Sequence, residues 1–80
     1  MFVKQFHVKN QFVLSDSGNT YFQSYNSIIV KRDINGKITL GNNWDYSRTT
    51  SKYRNKFLNE TTKETEKKIA SGEYKIDSTL

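Results

Sequence analysis

The segment SIIVKRDINGKITL, residues 27–40, constrains the fold most, because an Asn-Gly pair stands between two runs rich in β-branched residues. This arrangement predicts a β-hairpin. A two-residue loop would pair Ile34 with Lys37. A type I turn begun by Asp33, with Gly36 in the left-handed region as a bulge, would pair Asp33 with Lys37 instead. The hairpin is therefore predicted with two possible registers.

The hydrophobic pattern selects the bulged register. In it, Ile38 lies opposite Arg32 and Leu40 opposite Val30, so the apolar residues share one face: Ile28, Val30, Ile38 and Leu40. A shift of one residue would move every side chain to the other face of the sheet, so burial favours the bulged turn. The outer face then carries Ile29, Lys31, Lys37 and Thr39.

The residues after the hairpin have the spacing of a helix. Four side chains recur at helical intervals and predict a buried stripe: Tyr46, Thr50, Tyr53 and Phe57. Ser47 or Thr49 is the expected N-cap. Thr61 and Glu64 form the sequence pattern of a capping box, which predicts a second, more polar helix that ends near Ser71-Gly72.

Together these segments predict one small α+β domain, an antiparallel β-sheet of four to five strands followed by two C-terminal helices. Residues 1–42 are expected to be mainly sheet, residues 46–71 helical and residues 73–80 a tail, with Tyr74 and Ile76 as its possible anchors. Eighty residues are enough for a single core only. The first ten residues lack a long apolar run, so neither a signal peptide nor a membrane span is expected.

Several kinds of chemistry are not expected from this composition. There is no cysteine, so a disulfide framework or a thiolate metal site is excluded, which fits a reducing cytoplasm. His7 is the sole histidine, and the aspartates of the first 58 residues stand in turn-like contexts: Asp16, Asp33 and Asp45. The glycines are isolated, so no phosphate loop is present. We therefore expect a protein that is not an enzyme and that has no cofactor and no metal.

Positive charge is concentrated in the first part of the chain. Residues 1–58 hold nine of the thirteen Lys and Arg residues and three of the eight acidic ones. Such a distribution suits an anionic partner, either nucleic acid or an acidic protein surface.

The solvent side of the first helix is the predicted binding surface. It carries Arg48, Lys52 and Asn55, flanked by Ser51 and Lys56, which are residue types that bind phosphate. Lys31 and Lys37 of the hairpin are expected to extend it. Trp44 either covers the core or stacks on a base. The competing interpretation of the whole set is an ordinary solvated helix face.

Residues 21–58 also resemble a family of short, largely uncharacterised proteins from phages and prophages of Gram-positive bacteria. The shared features are Ser24-Tyr25, Ser27-Ile28-Ile29, a hairpin, and then Tyr46-Ser47 with Thr49-Thr50-Ser51-Lys52. The resemblance implies a phage accessory protein in the host bacterial cytoplasm and brings no agreed activity. Two function classes stay open: a nucleic-acid-binding module for phage replication or regulation, and a protein-directed inhibitor of a host enzyme or defence complex, comparable to anti-CRISPR proteins. A structural role in the virion is third.

Overall fold

Strands in simple chain order build the sheet on which the helices pack. In a computed structural model, which describes residues 2–80, the elements are β1 (Phe2–Gln5), β2 (Gln11–Asp16), β3 (Asn19–Ser24), β4 (Ser27–Arg32), β5 (Ile38–Leu40), α1 (Arg48–Leu58), α2 (Thr62–Ala70) and β6 (Lys75–Ile76). Each strand pairs with the next one in chain order, and every pair is antiparallel except β5 with β6. The predicted α+β class is confirmed, with five strands before the helices and a short sixth after them.

The β4–β5 hairpin has the bulged register that the sequence predicts. Gly36 has a φ of +83°, and its N–H donates to the carbonyl of Asp33 at 2.9 Å. The Asp33 N–H donates to the carbonyl of Lys37 at 3.0 Å. The Asp33 carboxylate also accepts the Lys37 N–H at 2.9 Å, which fixes the turn. Arg32 therefore lies opposite Ile38, and Val30 opposite Leu40, as predicted.

A second bulge, within β4, reverses the predicted faces of Ile28 and Ile29. Phe22 pairs with Val30 but Gln23 pairs with Ile28, so Ile29 is an extra residue in β4. Two residues at a bulge oppose one on the partner strand, and both Ile29 and Val30 are buried. Ile28 lies instead among side chains of the outer face. The expectation that Ile28 belongs to the core and Ile29 to the outer face is therefore wrong.

The core lies between the sheet and the two helices. Phe22, Val30 and Leu40 follow one another across three strands and are fully buried. Phe57 of α1 stacks on Phe22 with ring centroids 5.7 Å apart. The guanidinium of Arg32 lies over the Phe57 ring, 4.8 Å from its centroid. These contacts hold the C-terminal half of α1 to the sheet.

The first helix begins later than the hydrophobic stripe implies. Ser47 is its N-cap and accepts the Thr50 N–H at 3.2 Å. Thr50 and Tyr53 are buried as predicted, but Tyr46 precedes the cap and is 71% exposed. The assignment of Tyr46 to the core is wrong because helical periodicity does not extend beyond the N-cap. The half-buried Trp44 packs against the core instead.

The second helix and the segment after it are tied to the sheet. Thr61 and Glu64 form the predicted capping box, and Gly72 has a φ of +85° just after the helix end. Residues 73–80 do not form a free tail as the sequence predicts, because Tyr74 is buried and Lys75–Ile76 form β6. Tyr74 is the anchor of this segment, whereas the side chain of Ile76 is exposed.

Candidate nucleic-acid interface

Three cations form a ridge along the exposed side of α1. Arg48, Lys52 and Lys56, here called the basic ridge, are all exposed and follow one another at intervals of four residues, about 6 Å along the helix axis. In the part of the chain that the structure describes, none of the three lies in an ion pair. The ammonium groups of Lys52 and Lys56 lie 5.4 and 5.1 Å from the ring centroid of Tyr53. An aromatic ring leaves their charge unneutralised, so the ridge can bind anions.

Arg54, on the same helix, has the opposite placement. Its side chain is fully buried, and its guanidinium donates to the carbonyl of Trp44 at 2.5 Å and to the hydroxyl of Thr62 at 2.8 Å. The Asp45 carboxylate lies 3.6 Å away. Burial lowers the pKa of Arg54, partly offset by Asp45, and an arginine stays charged under such conditions. This buried charge joins α1 to the loop before it and to the start of α2.

Three of the predicted binding residues belong to the Arg54 network and not to the ridge. Ser51 is half-buried and donates to Asp45 at 2.8 Å. Asn55 accepts from Arg54 at 3.0 Å and donates to Thr62 at 3.1 Å. Trp44 is half-buried, with the Arg54 guanidinium 5.0 Å from its ring centroid. Their polar groups stabilise the junction between the helices.

The two hairpin lysines lie on different parts of the molecule. Lys31 pairs with Tyr21 and Thr39 on the face of the sheet that points away from the helices. Lys37 is exposed in the hairpin turn and borders a depression shared with Leu58 and Glu60, near the C-terminal end of α1. The expectation of one continuous surface is wrong, because strand alternation places Lys31 on the opposite side of the molecule.

A pocket of about 560 Å³ opens beside the first turn of α1. We call it the tyrosine pocket, because Tyr25 and Tyr46 stand in its wall. It is otherwise lined by Ser24, Asn26, Ser27, Ile29, Asn43, Ser47, Thr49 and Thr50. The buried hydroxyls of Ser24 and Thr50 share a hydrogen bond of 2.9 Å, which joins β3 to α1 at the pocket floor. None of the lining side chains carries a formal charge.

No pattern in the sequence predicts this pocket. Its residues come from the β3–β4 turn and from the approach to α1, some twenty positions apart in the chain. One signal was available for Tyr46, since an N-cap at Ser47 places Tyr46 outside the helix. No local pattern indicates that Tyr25 lines the same pocket.

A second cluster of ionisable groups closes the end of the molecule near α2. The Glu60 carboxylate is almost fully buried and accepts from the Lys68 ammonium and the Tyr74 hydroxyl, each at 2.8 Å. Its other oxygen accepts the Thr65 hydroxyl at 2.5 Å. Burial opposes ionisation of Glu60, but these hydrogen bonds outweigh it and hold its pKa below the ordinary value. Burial and the Glu60 carboxylate raise the pKa of Tyr74. Each of these groups already has a partner within the fold, so the cluster is structural.

Two further features bear on function. Among residues 2–80, no group of three or more His, Asp or Glu side chains is placed to hold a metal ion. Over the same residues, no helix combines the length and apolarity needed to cross a membrane.

A family model described as a family of unknown function, DUF8033, matches residues 3–73. No curated protein and no solved structure matches the chain.

Proposed function

Because the chain belongs to the DUF8033 family, whose function is unknown, we propose from its geometry that the protein is a non-enzymatic module that binds nucleic acid through the basic ridge. The observation that carries this proposal is the ridge itself, three exposed cations on one side of a helix that have no carboxylate partner among residues 2–80. Lys and Arg in such an array neutralise phosphates and release counterions.

The ridge is also held in place. The opposite side of α1 packs on the sheet through Tyr53 and Phe57, and the buried Arg54 joins it to α2. A cation presented on such a rigid element loses less conformational freedom on binding than one on a mobile loop. The phage accessory role and the host bacterial cytoplasm are part of the proposal and depend on the resemblance of residues 21–58.

Salt-dependent binding tests the proposal. Fluorescence anisotropy with labelled random-sequence duplex should give measurable affinity at low salt, and three phosphate contacts predict a slope of log K on log salt of about −2.7. Replacing Arg48 and Lys52 with Glu should remove most of this affinity for every sequence alike. The control is Lys63→Glu with Lys67→Glu, an equal change of charge at the same spacing on the exposed side of α2. Equal losses in the two double variants would contradict a role for the ridge.

A second candidate is a protein-directed inhibitor of a host enzyme or defence complex. It is favoured by the exposure of Tyr25 and Tyr46, at 46% and 71%, because exposed tyrosines are frequent anchors of protein interfaces. A pull-down from host lysate treated with nuclease separates the candidates. A stoichiometric protein partner that survives nuclease supports the inhibitor, and loss of every partner supports nucleic-acid binding.

A further inference from the structure

Two exposed tyrosine rings lie in the wall of the tyrosine pocket and are not part of the core. The chain has five tyrosines. Tyr53 and Tyr74 are buried and Tyr21 is half-buried in the sheet, whereas Tyr25 and Tyr46 are exposed on the wall of one pocket. A volume of about 560 Å³ lies within the range of small-ligand sites, roughly 300–1,000 Å³.

The chemistry of the pocket suits a flat, uncharged and polar group. Its wall combines the two phenol rings with serine and threonine hydroxyls and with the amides of Asn26 and Asn43. Hydroxyls and amides donate and accept hydrogen bonds, and tyrosine rings stack on planar groups. A phosphate would find no cationic side chain among the lining residues.

The basic ridge begins beside the pocket. Arg48, the first member of the basic ridge, lies between two residues of the pocket lining, Ser47 and Thr49. From there the ridge continues along α1 to Lys52 and Lys56. A ligand with a neutral planar group beside a chain of phosphates therefore matches the pocket and the ridge together.

We infer that the tyrosine pocket receives an unpaired base of single-stranded nucleic acid whose backbone follows the basic ridge. The inference rests on the proposed function and extends it from nucleic acid in general to single strands. In a duplex the bases are paired and stacked, so only an unpaired base can enter the pocket without prior opening of the helix.

The backbone at Tyr25 provides a test of this role. Tyr25 has a φ of +55°, a left-handed conformation that is uncommon for a bulky residue and that asparagine adopts more readily. Tyr25→Asn should therefore leave the melting temperature unchanged or raise it. If the Tyr25 ring stacks on a base, Tyr25→Asn should weaken the binding of single-stranded nucleic acid.

The experiment compares three labelled probes by fluorescence anisotropy: a short oligothymidylate, an abasic strand of equal length, and a duplex of equal length. Tyr46→Ala and Tyr25→Asn should each weaken oligothymidylate binding by about 5-fold to 150-fold and leave the other two probes unaffected. Tyr46→Phe should retain the affinity, because stacking needs the ring and not the hydroxyl. The ridge variant with Glu at 48 and 52 should weaken binding to all three probes.

The outcomes separate the two proposals. If the ridge variant loses affinity while the tyrosine variants bind oligothymidylate normally, the pocket inference is wrong and the proposed function stands. Equal losses of the tyrosine variants on abasic and base-containing strands would also overturn the inference. Absence of binding by the unmodified protein to all three probes would overturn both.

Discussion

At the scale of single residues, two arginines six positions apart on α1 show how placement decides role. Arg48 is exposed on the basic ridge, and Arg54 is fully buried beneath the loop that precedes the helix. Arg54 comes four positions after the buried Thr50, so both lie on the inner side of α1. The guanidinium satisfies several acceptors at once because its donors form a planar fork, which an ammonium group lacks.

Arg54→Lys should therefore lower the free energy of unfolding by about 2 kcal/mol, since a lysine leaves the Trp44 carbonyl or the side-chain oxygen of Asn55 without its donor. Arg48→Lys, the same substitution at an exposed position, should change it by less than about 0.5 kcal/mol. Urea denaturation of both variants measures the difference. Equal stability of the two would contradict the structural role of Arg54.

Gly36 is a residue whose backbone conformation sets the register of a hairpin. A Cβ at this position would meet nothing within 4 Å, so only its φ of +83° limits substitution. Gly36→Ala should destabilise the protein by about 1 kcal/mol. Gly36→Asn should lose less, because asparagine tolerates the left-handed region. Thermal denaturation compares them, and an alanine variant as stable as the asparagine variant would argue against the bulged turn.

At the scale of elements, Phe57 attaches the C-terminal half of α1 to the sheet. Its ring contacts Phe22 and also meets Phe6 edge-on, with centroids 6.0 Å apart. Phe57→Ala should cost about 3 kcal/mol, the lower part of the usual range because the ring is only half-buried. Tyr46→Ala, which the sequence pattern places in the same stripe, should change stability by less than about 0.5 kcal/mol. Guanidinium denaturation measures the stability of both variants. A larger loss in Tyr46→Ala than in Phe57→Ala would show that the core face of α1 is assigned wrongly.

The junction of α2 with β6 should be sensitive to acid. Glu60 has a folded pKa below its ordinary value of 4.5, so its contribution to stability is fully present above that value. The contribution is lost as the pH falls through the folded pKa, because the unfolded state then binds a proton more readily than the folded one.

Glu60→Gln should consequently lower stability at neutral pH and reduce the additional loss between pH 5 and pH 3. Glu66→Gln is the matched control, because Glu66 lies exposed on α2. Melting temperatures recorded across this pH range test the assignment. If Glu60→Gln and Glu66→Gln gave parallel pH profiles, the Glu60 carboxylate would not be the acid-sensitive group.

At the scale of the whole molecule, the chain returns to its own sheet after the helices. The Tyr74 side chain enters the core, and the Asp77 N–H donates to the carbonyl of Leu40 at 2.8 Å. A chain that ends at Gly72 should lose about 2–4 kcal/mol, because Tyr74 no longer fills the core and Glu60 loses a donor. A chain that ends at Asp77 keeps the core packing of Tyr74 and its hydrogen bond to Glu60. It should lose less than half as much stability. Circular dichroism melting curves distinguish a structural segment from the tail that the sequence suggests.

The sequence by itself determined the features that depend on residues close together in the chain. The hairpin turn at Gly36 and the capping box of Thr61 and Glu64 were predicted correctly, because a turn or a cap is made by a few neighbouring residues. The strand-rich first half and the two helices followed from hydrophobic periodicity. The cations of the basic ridge were also recognised in this way, since helical spacing alone places them on one side.

The tertiary structure decided which of those local elements meet. The bulge at Ile29 depends on how β4 pairs with β3, and the burial of Arg54 depends on acceptors supplied by the preceding loop and by α2. The sequence alone does not show on which surface Lys31 lies, because a strand has two faces and only the packing of the helices shows which one is covered. The tyrosine pocket forms between segments far apart in the chain, and no local pattern encodes a distance between such segments.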